Sequence, residues 1–174
     1  MIEYKVNVSP DGTKHWYLNG KLHREDGPAV EYLDVTNRNV ATIQWYLNGK
    51  RHREDGPAIE YSNGTKQWYL NDKLHSEDGP AVEYSDGTKY WYINGLFHRE
   101  DGPATVHADG TKQWFLRGKR MSEDEFNNRN KSWVQKAVNW AHNTRASKEI
   151  IKGLKDNGVK LTDQDKQLII EILK

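Results

Sequence analysis

The tract Trp45-Tyr46-Leu47-Asn48-Gly49-Lys50-Arg51-His52-Arg53-Glu54-Asp55-Gly56-Pro57-Ala58 decides the fold, because near copies of it recur down most of the chain. Its leading tryptophan returns as Trp16, Trp45, Trp68, Trp91 and Trp114, at spacings of 29, 23, 23 and 23 residues. A fixed period of that length marks one small supersecondary unit stacked on copies of itself.

One copy read outward from the tract shows what the unit is. Ala58 to Tyr61 alternates, with Ile59 and Tyr61 on one face and Ala58 and Glu60 on the other. Thr65 to Leu70 reads as a second strand, with Trp68 and Leu70 on one face and Gln67 and Tyr69 opposite. Ser62-Asn63-Gly64 joins the two, and Asn-Gly supplies residues that tolerate positive φ. A second turn follows each Trp strand, at Asn19-Gly20, Asn48-Gly49, Asn71-Asp72 and Asn94-Gly95. The expected fold is mainly β with an α C-terminus: an elongated single-layer antiparallel β-meander of stacked hairpin repeats, followed by short helices.

This phase predicts two ladders. The five tryptophans, with Leu18, Leu47, Leu70, Ile93 and Leu116, line one face as a continuous indole spine, joined by Val30, Ile59 and Val82 and by Tyr32, Tyr61 and Tyr84. Stacked aromatic neighbours add roughly 0.5–1.5 kcal/mol per pair beyond their area. Tyr17, Tyr46, Tyr69, Tyr92 and Phe115 line the other face. Partly solvated on a single-layer sheet, rigid amphipathic rings of that kind make a binding stripe; otherwise they tile the sheet or sit under the tail helices. Tyr46, Tyr69, Tyr92 and Phe115 are therefore candidate partner-binding residues.

Two irregularities stand out in the array. Residues 33–44 lengthen one turn segment by six residues, and insertions of this kind map to loops on one side of a solenoid. Asn37 and Arg38, within the insertion near 34–42, join the candidates. Met1 to Pro10, where Tyr4, Val6 and Val8 alternate, reads as an incomplete copy that caps an open edge.

His23, His52, His75 and His98 each stand three residues before an aspartate in the His-x-x-Asp-Gly-Pro segment. Each copy contributes two strands at about 4.8 Å spacing, so equivalent histidines lie roughly 10 Å apart, too far to share one zinc. An enzyme needs one asymmetric constellation, whereas this pattern repeats four times. The reading is structural: Gly-Pro fixes a turn, Asp bonds the backbone around it, and the imidazole donates to a carbonyl of the adjacent copy. No catalytic, cofactor-binding or metal-ligating residue is expected.

The pattern stops at Met121, which stands where a histidine is due. Ser122 and Glu125 have the spacing of a capping box, and Met121 and Phe126 that of a hydrophobic staple. The array is thus expected over 1–121, in about five copies, with a helical region over 122–174. There Trp133, Ala137, Trp140 and Ala141 form one apolar face, Ile150, Ile151 and Leu154 a second, and Leu168, Ile169, Ile172 and Leu173 a third.

The repeat tract resembles the MORN-type (membrane occupation and recognition nexus) family and its divergent relatives in bacteria, phages and giant viruses. That unit is a 23-residue hairpin of the form Tyr-x-Gly followed by Gly-x-x-His-Gly-x-Gly. Tyr46-Leu47-Asn48-Gly49-Lys50-Arg51-His52-Arg53-Glu54-Asp55-Gly56 is similar, although no Gly follows His52 and Pro57-Ala58 closes the tract. The resemblance spans about residues 11–119, and the His-Arg-Glu-Asp-Gly-Pro-Ala variant looks like units of small phage-encoded proteins. It implies a scaffold for protein contact rather than a substrate.

Charge and composition bound the rest. Residues 1–128 carry 16 basic and 20 acidic side chains, net −4, while residues 129–174 carry 10 and 5, net +5. An anionic leaflet repels the acidic array, which argues against lipid binding. The chain has no cysteine, no long apolar run and no signal-peptide pattern, so a cytoplasmic protein is expected, in the host cytoplasm if phage-encoded. The leading expectation is a non-enzymatic protein-binding repeat, such as a phage inhibitor of a host defence or other host factor. Lys148, Lys152 and Lys155 of the basic tail are further candidate contacts. The alternative is nucleic-acid binding, through that tail and the aromatic stripe. Open sheet edges leave homo-oligomers open.

Overall fold

The computed structural model describes residues 3–34 and 40–129. The chain divides into two compact units, Met1–Met121 and Ser122–Lys174. The first is built on one antiparallel meander of twelve strands, in which neighbours in sequence pair in space. Lys5–Val8 lies at one edge on Lys14–Leu18, in the register Lys5↔Tyr17 to Val8↔Lys14, so the incomplete first copy does cover an edge. At the other end Lys112–Leu116 pairs with Lys119–Met121.

Each full copy holds a hairpin of the main sheet and a smaller hairpin beyond it. Ile59–Tyr61 pairs with Lys66–Gln67 in the first, and Tyr69–Leu70 with Lys73–Leu74 in the second. Their turns differ chemically. Ser62-Asn63-Gly64 is a three-residue loop in which only Gly64 has positive φ (+87°), and Asn63 Oδ1 accepts the Thr65 amide at 2.9 Å. Asn71 and Asp72 both have positive φ, 52° and 65°, the two-residue hairpin geometry that matches strand twist. Asn-Gly fills the corresponding turns at Asn19, Asn48 and Asn94.

The tryptophan is where the ladder changes partner. Strand pairing breaks at Trp45, Trp68 and Trp91. The Trp68 amide donates to the Ala81 carbonyl of the following copy at 2.8 Å, while its own carbonyl accepts the His75 amide at 3.1 Å. Trp16, Trp45 and Trp91 make the same pair of bonds. The strict alternation of faces expected across the strand does not survive this break. Tyr69, assigned to the face opposite tryptophan, is buried in one cluster with Ala58 and Ile59, and Trp45 and Leu74 pack on it.

The core is accordingly thin: Ala29, Val30, Ala58, Ile59, Tyr69, Ala81, Val82 and Ala104 in the array. The continuous indole spine is a second correction. Ring contacts among the described residues join tyrosine, phenylalanine and histidine, not indole to indole. Either side of the insertion, Val30–Leu33 and Val40–Gln44 pair and lengthen the hairpin, with a register shift between Tyr32 and Leu33, while residues 35–39 lie outside the described residues.

In the second unit, Glu123–Asn128 is a helix with the expected capping box. Ser122 Oγ accepts the Glu125 amide at 3.1 Å, and the Glu125 carboxylate accepts the Ser122 amide at 2.7 Å. The helical faces expected at Trp133–Ala141, Ile150–Leu154 and Leu168–Leu173 lie outside the described residues.

Candidate functional site

The repeated histidine bonds across copies, in the opposite sense to the one expected. Nδ1 of His23, His52, His75 and His98 accepts the backbone N–H of Asn48, Asn71, Asn94 and Arg117, at 3.0, 3.3, 3.2 and 3.0 Å. Each of those four is the first positive-φ residue of the next copy's tight turn. The proton therefore sits on Nε2, which faces a carboxylate oxygen of Glu25, Glu54, Glu77 or Glu100 at 3.5–3.7 Å. Each ring is committed to holding a turn, and among the described residues no group of three metal-ligating side chains converges.

The arginine beside the histidine builds a second repeated device. Arg24, Arg53 and Arg99 lie over the indoles of Trp16, Trp45 and Trp91, at 4.5, 4.1 and 4.0 Å from the ring centroid. Their Nε atoms donate to Asp26, Asp55 and Asp101 at 3.0, 2.9 and 2.8 Å. Nη1 donates to the carbonyls of Pro28, Pro57 and Pro103 at 3.3–3.4 Å. A hydrogen bond from Arg53 holds the Asp55 carboxyl below the usual carboxylate range. Glycine in Asp-Gly-Pro follows from the same geometry: a Cβ on Gly27, Gly56 or Gly102 would stand 2.6, 3.0 or 3.3 Å from the guanidinium carbon.

The third copy departs from this plan. Ser76 stands in place of arginine, and among the described residues no guanidinium lies over Trp68. Asp78 has no hydrogen-bond or ion-pair partner among the described residues. A Cβ on Gly79 would meet nothing within 4 Å, so the slot is open. An open cleft of about 500 Å³ lies beside Trp68 and Ser76. It is lined by Trp68, Ser76, Asp78 and Glu77 of one copy and by Arg53, Glu54 and Asp55 of the copy before.

The candidate ring residues are used mostly inside the molecule. Tyr46, Tyr92 and Phe115 are half-buried and Tyr69 is buried. Tyr46 Oη donates to Gln44 Oε1 at 3.0 Å and Tyr69 Oη to Gln67 Oε1 at 3.3 Å, while Arg51 covers the Tyr69 ring at 4.2 Å. Tyr92 stacks on Phe97 at 4.2 Å and Phe97 on Phe115 at 5.0 Å. Burial pushes the Tyr46 and Tyr69 phenols up, and that of Tyr92 up to about 12.

The exposed tyrosines are a different row: Tyr32, Tyr61 and Tyr84, at 39, 38 and 40%. Alternation put them beside Val30, Ile59 and Val82 on the inner face. Tyr61 and Tyr84 directly precede their turns, whereas Tyr32 is followed in its lengthened strand by Leu33, which pairs with Val40. Asn37, Arg38, Lys148, Lys152 and Lys155 lie outside the described residues. No helix among the described residues is long and apolar enough to cross a membrane. No family model matches the chain, and no curated protein matches it.

Proposed function

We propose that the chain is a non-enzymatic protein-binding repeat whose sheet presents recognition residues at fixed intervals. The observation that carries this reading is the repeated exposure of Tyr32, Tyr61 and Tyr84, the first two paired with the same Thr42 in the sheet and the third directly after the strand Val82–Glu83. Tyrosine suits such a surface because it offers a large amphipathic ring at low entropic cost, and it is enriched in protein interfaces. The MORN-like character of the tract points the same way, since scaffolding is what that resemblance implies. Inhibition of a host factor by a phage-encoded chain is the form of this function that the repeat variant suggests.

The test compares the tagged chain with a Tyr32→Thr/Tyr61→Thr/Tyr84→Thr variant in the native host, with thermal melting as the folding control. A stoichiometric protein partner held by the parent and lost by the folded variant is the expected result. A partner held equally by both would overturn the reading, as would nucleic acid recovered in place of protein.

A further inference from the structure

We infer that the third copy contains a receptor for an arginine side chain supplied by a partner protein. The inference rests on the protein-binding reading and names the chemistry of one contact within it. The molecule supplies its own template: three copies surround a guanidinium in the same way, with an indole beneath it, an aspartate on Nε and a proline carbonyl on Nη1. The third copy keeps every part of that surround, as Trp68, Asp78, Gly79 and Pro80, and lacks only the arginine.

Two independent observations show that the space is there to be filled. The position of a Gly79 Cβ has no atom within 4 Å, whereas a Cβ on the three equivalent glycines would stand 2.6–3.3 Å from a guanidinium carbon. The cleft above Trp68 is also continuous with carboxylates from two copies, Glu54 and Asp55 from one and Glu77 and Asp78 from the other, against the single cation of Arg53. Arg53 is already tied to Asp55 and to Glu60, so it does not neutralise Asp78.

A cation is thus the ligand that the charge selects, and the flat indole favours a planar one. Arginine fits better than lysine, because only a guanidinium can lie on the ring while sending separate N–H groups to Asp78 and to the Pro80 carbonyl. A single side chain held by these contacts binds weakly, with a Kd on the order of 1 mM, and gains its use as one contact of a larger interface.

The experiment follows the indole N–H signals of the full chain by two-dimensional NMR, with the Trp68 signal assigned from Trp68→Phe. The probe is the blocked tripeptide acetyl-Gly-Arg-Gly-amide, compared with its citrulline counterpart, which keeps the shape and loses the charge. Saturable shifting of the Trp68 signal by the arginine peptide, at least ten-fold weaker for citrulline, is expected. Ser76→Arg should abolish that binding by filling the slot from within the chain, and Asp78→Asn should weaken it about ten-fold. Arg99→Ser should open a second slot, so that the Trp91 signal now moves as well.

No saturable shift up to about 20 mM peptide would overturn the proposal, as would equal binding of citrulline or undiminished binding by Ser76→Arg. None of these variants alters Tyr32, Tyr61 or Tyr84. Loss of the slot with partner capture intact therefore sinks this inference alone, and loss of capture in the tyrosine variant with the slot intact sinks only the broader reading.

Discussion

Nδ1 of His23 lies 3.0 Å from the backbone nitrogen of Asn48, twenty-five residues away, and accepts its hydrogen. The side chain of one copy thereby completes the backbone of the next. His23 is the most enclosed of the four repeat histidines, at 5% exposure. Losing the ring leaves the Asn48 N–H without its acceptor and opens a cavity, so His23→Ala is expected to cost about 2 kcal/mol or more. His23→Asn keeps an acceptor on a short side chain and should cost less. Chemical denaturation of the two variants checks the order.

The same bond predicts an exchange pattern. Asn48, Asn71, Asn94 and Arg117 are exposed residues, yet their amides are engaged by imidazoles. These four amides should exchange slowly with deuterium, and each should speed up when its own histidine is replaced by alanine. Fast exchange of all four in the parent chain would contradict the bond.

Arg117 marks the fifth copy's turn with φ 50°, a conformation that an ordinary side chain adopts at a cost of about 1–2 kcal/mol. The other turns place asparagine there. Arg117→Asn should therefore stabilise the protein by about 1 kcal/mol, read as a higher melting temperature. A neutral or negative effect would show that the arginine makes a compensating contact.

Asp72 occupies the turn position held elsewhere by glycine, and it reaches back to the preceding copy. Its carboxylate accepts hydrogen bonds from the Arg51 amide at 3.0 Å and from Arg51 Nε at 2.9 Å. Burial works against its charge, but the bonds from Arg51 outweigh that and keep its carboxyl below the usual range. A depressed folded-state pKa contributes stability that is present above the unfolded value, near 3.9, and is lost as pH falls through the folded value. The pair is partly solvated, so Asp72→Asn should cost roughly 0.5–1 kcal/mol at neutral pH. The difference from the parent should vanish in acid, which melting curves across pH 2–7 would show.

Tyr92 gives the alkaline counterpart. Burial raises its phenol to about 12. A raised folded-state value contributes stability that is fully present below the unfolded value, near 10, and is lost as pH rises through about 12. Tyr92→Phe keeps the ring that stacks on Phe97 and removes the ionisable group. It should shift alkaline unfolding to higher pH and delete the latest-titrating component of tyrosinate absorbance.

Much of this architecture was legible before any coordinates. Period, strand pairs and both turns follow from local chemistry that repeats, and a local rule repeated four times reinforces itself; the Ser122–Glu125 cap follows from one local spacing. What escaped depends on the backbone changing partner. Alternation is a property of an unbroken strand, so it misplaced Tyr69 once pairing switched at Trp68, and it hid Tyr61 at a strand end. The imidazole's role as acceptor was out of reach too, because donor or acceptor depends on which backbone group the next copy brings within 3.3 Å. Ser76 stands in the sequence where the other copies carry arginine, but the pattern of His, Asp, Gly and Pro around it is unbroken. Its meaning emerged only when Arg53 and Arg99 were seen lying on indoles.

The guanidinium clamp occurs three times where the scaffold has four equivalent places for it. Redundancy of this sort separates what a unit needs in order to stand from what it is free to become. A lone hairpin stripped of its half-buried cation would have few other ties, but a hairpin braced on both sides by siblings can surrender that cation and keep its shape. Tandem duplication thus yields spare parts already machined to receive a ligand, and a single codon change is enough to turn one of them outward.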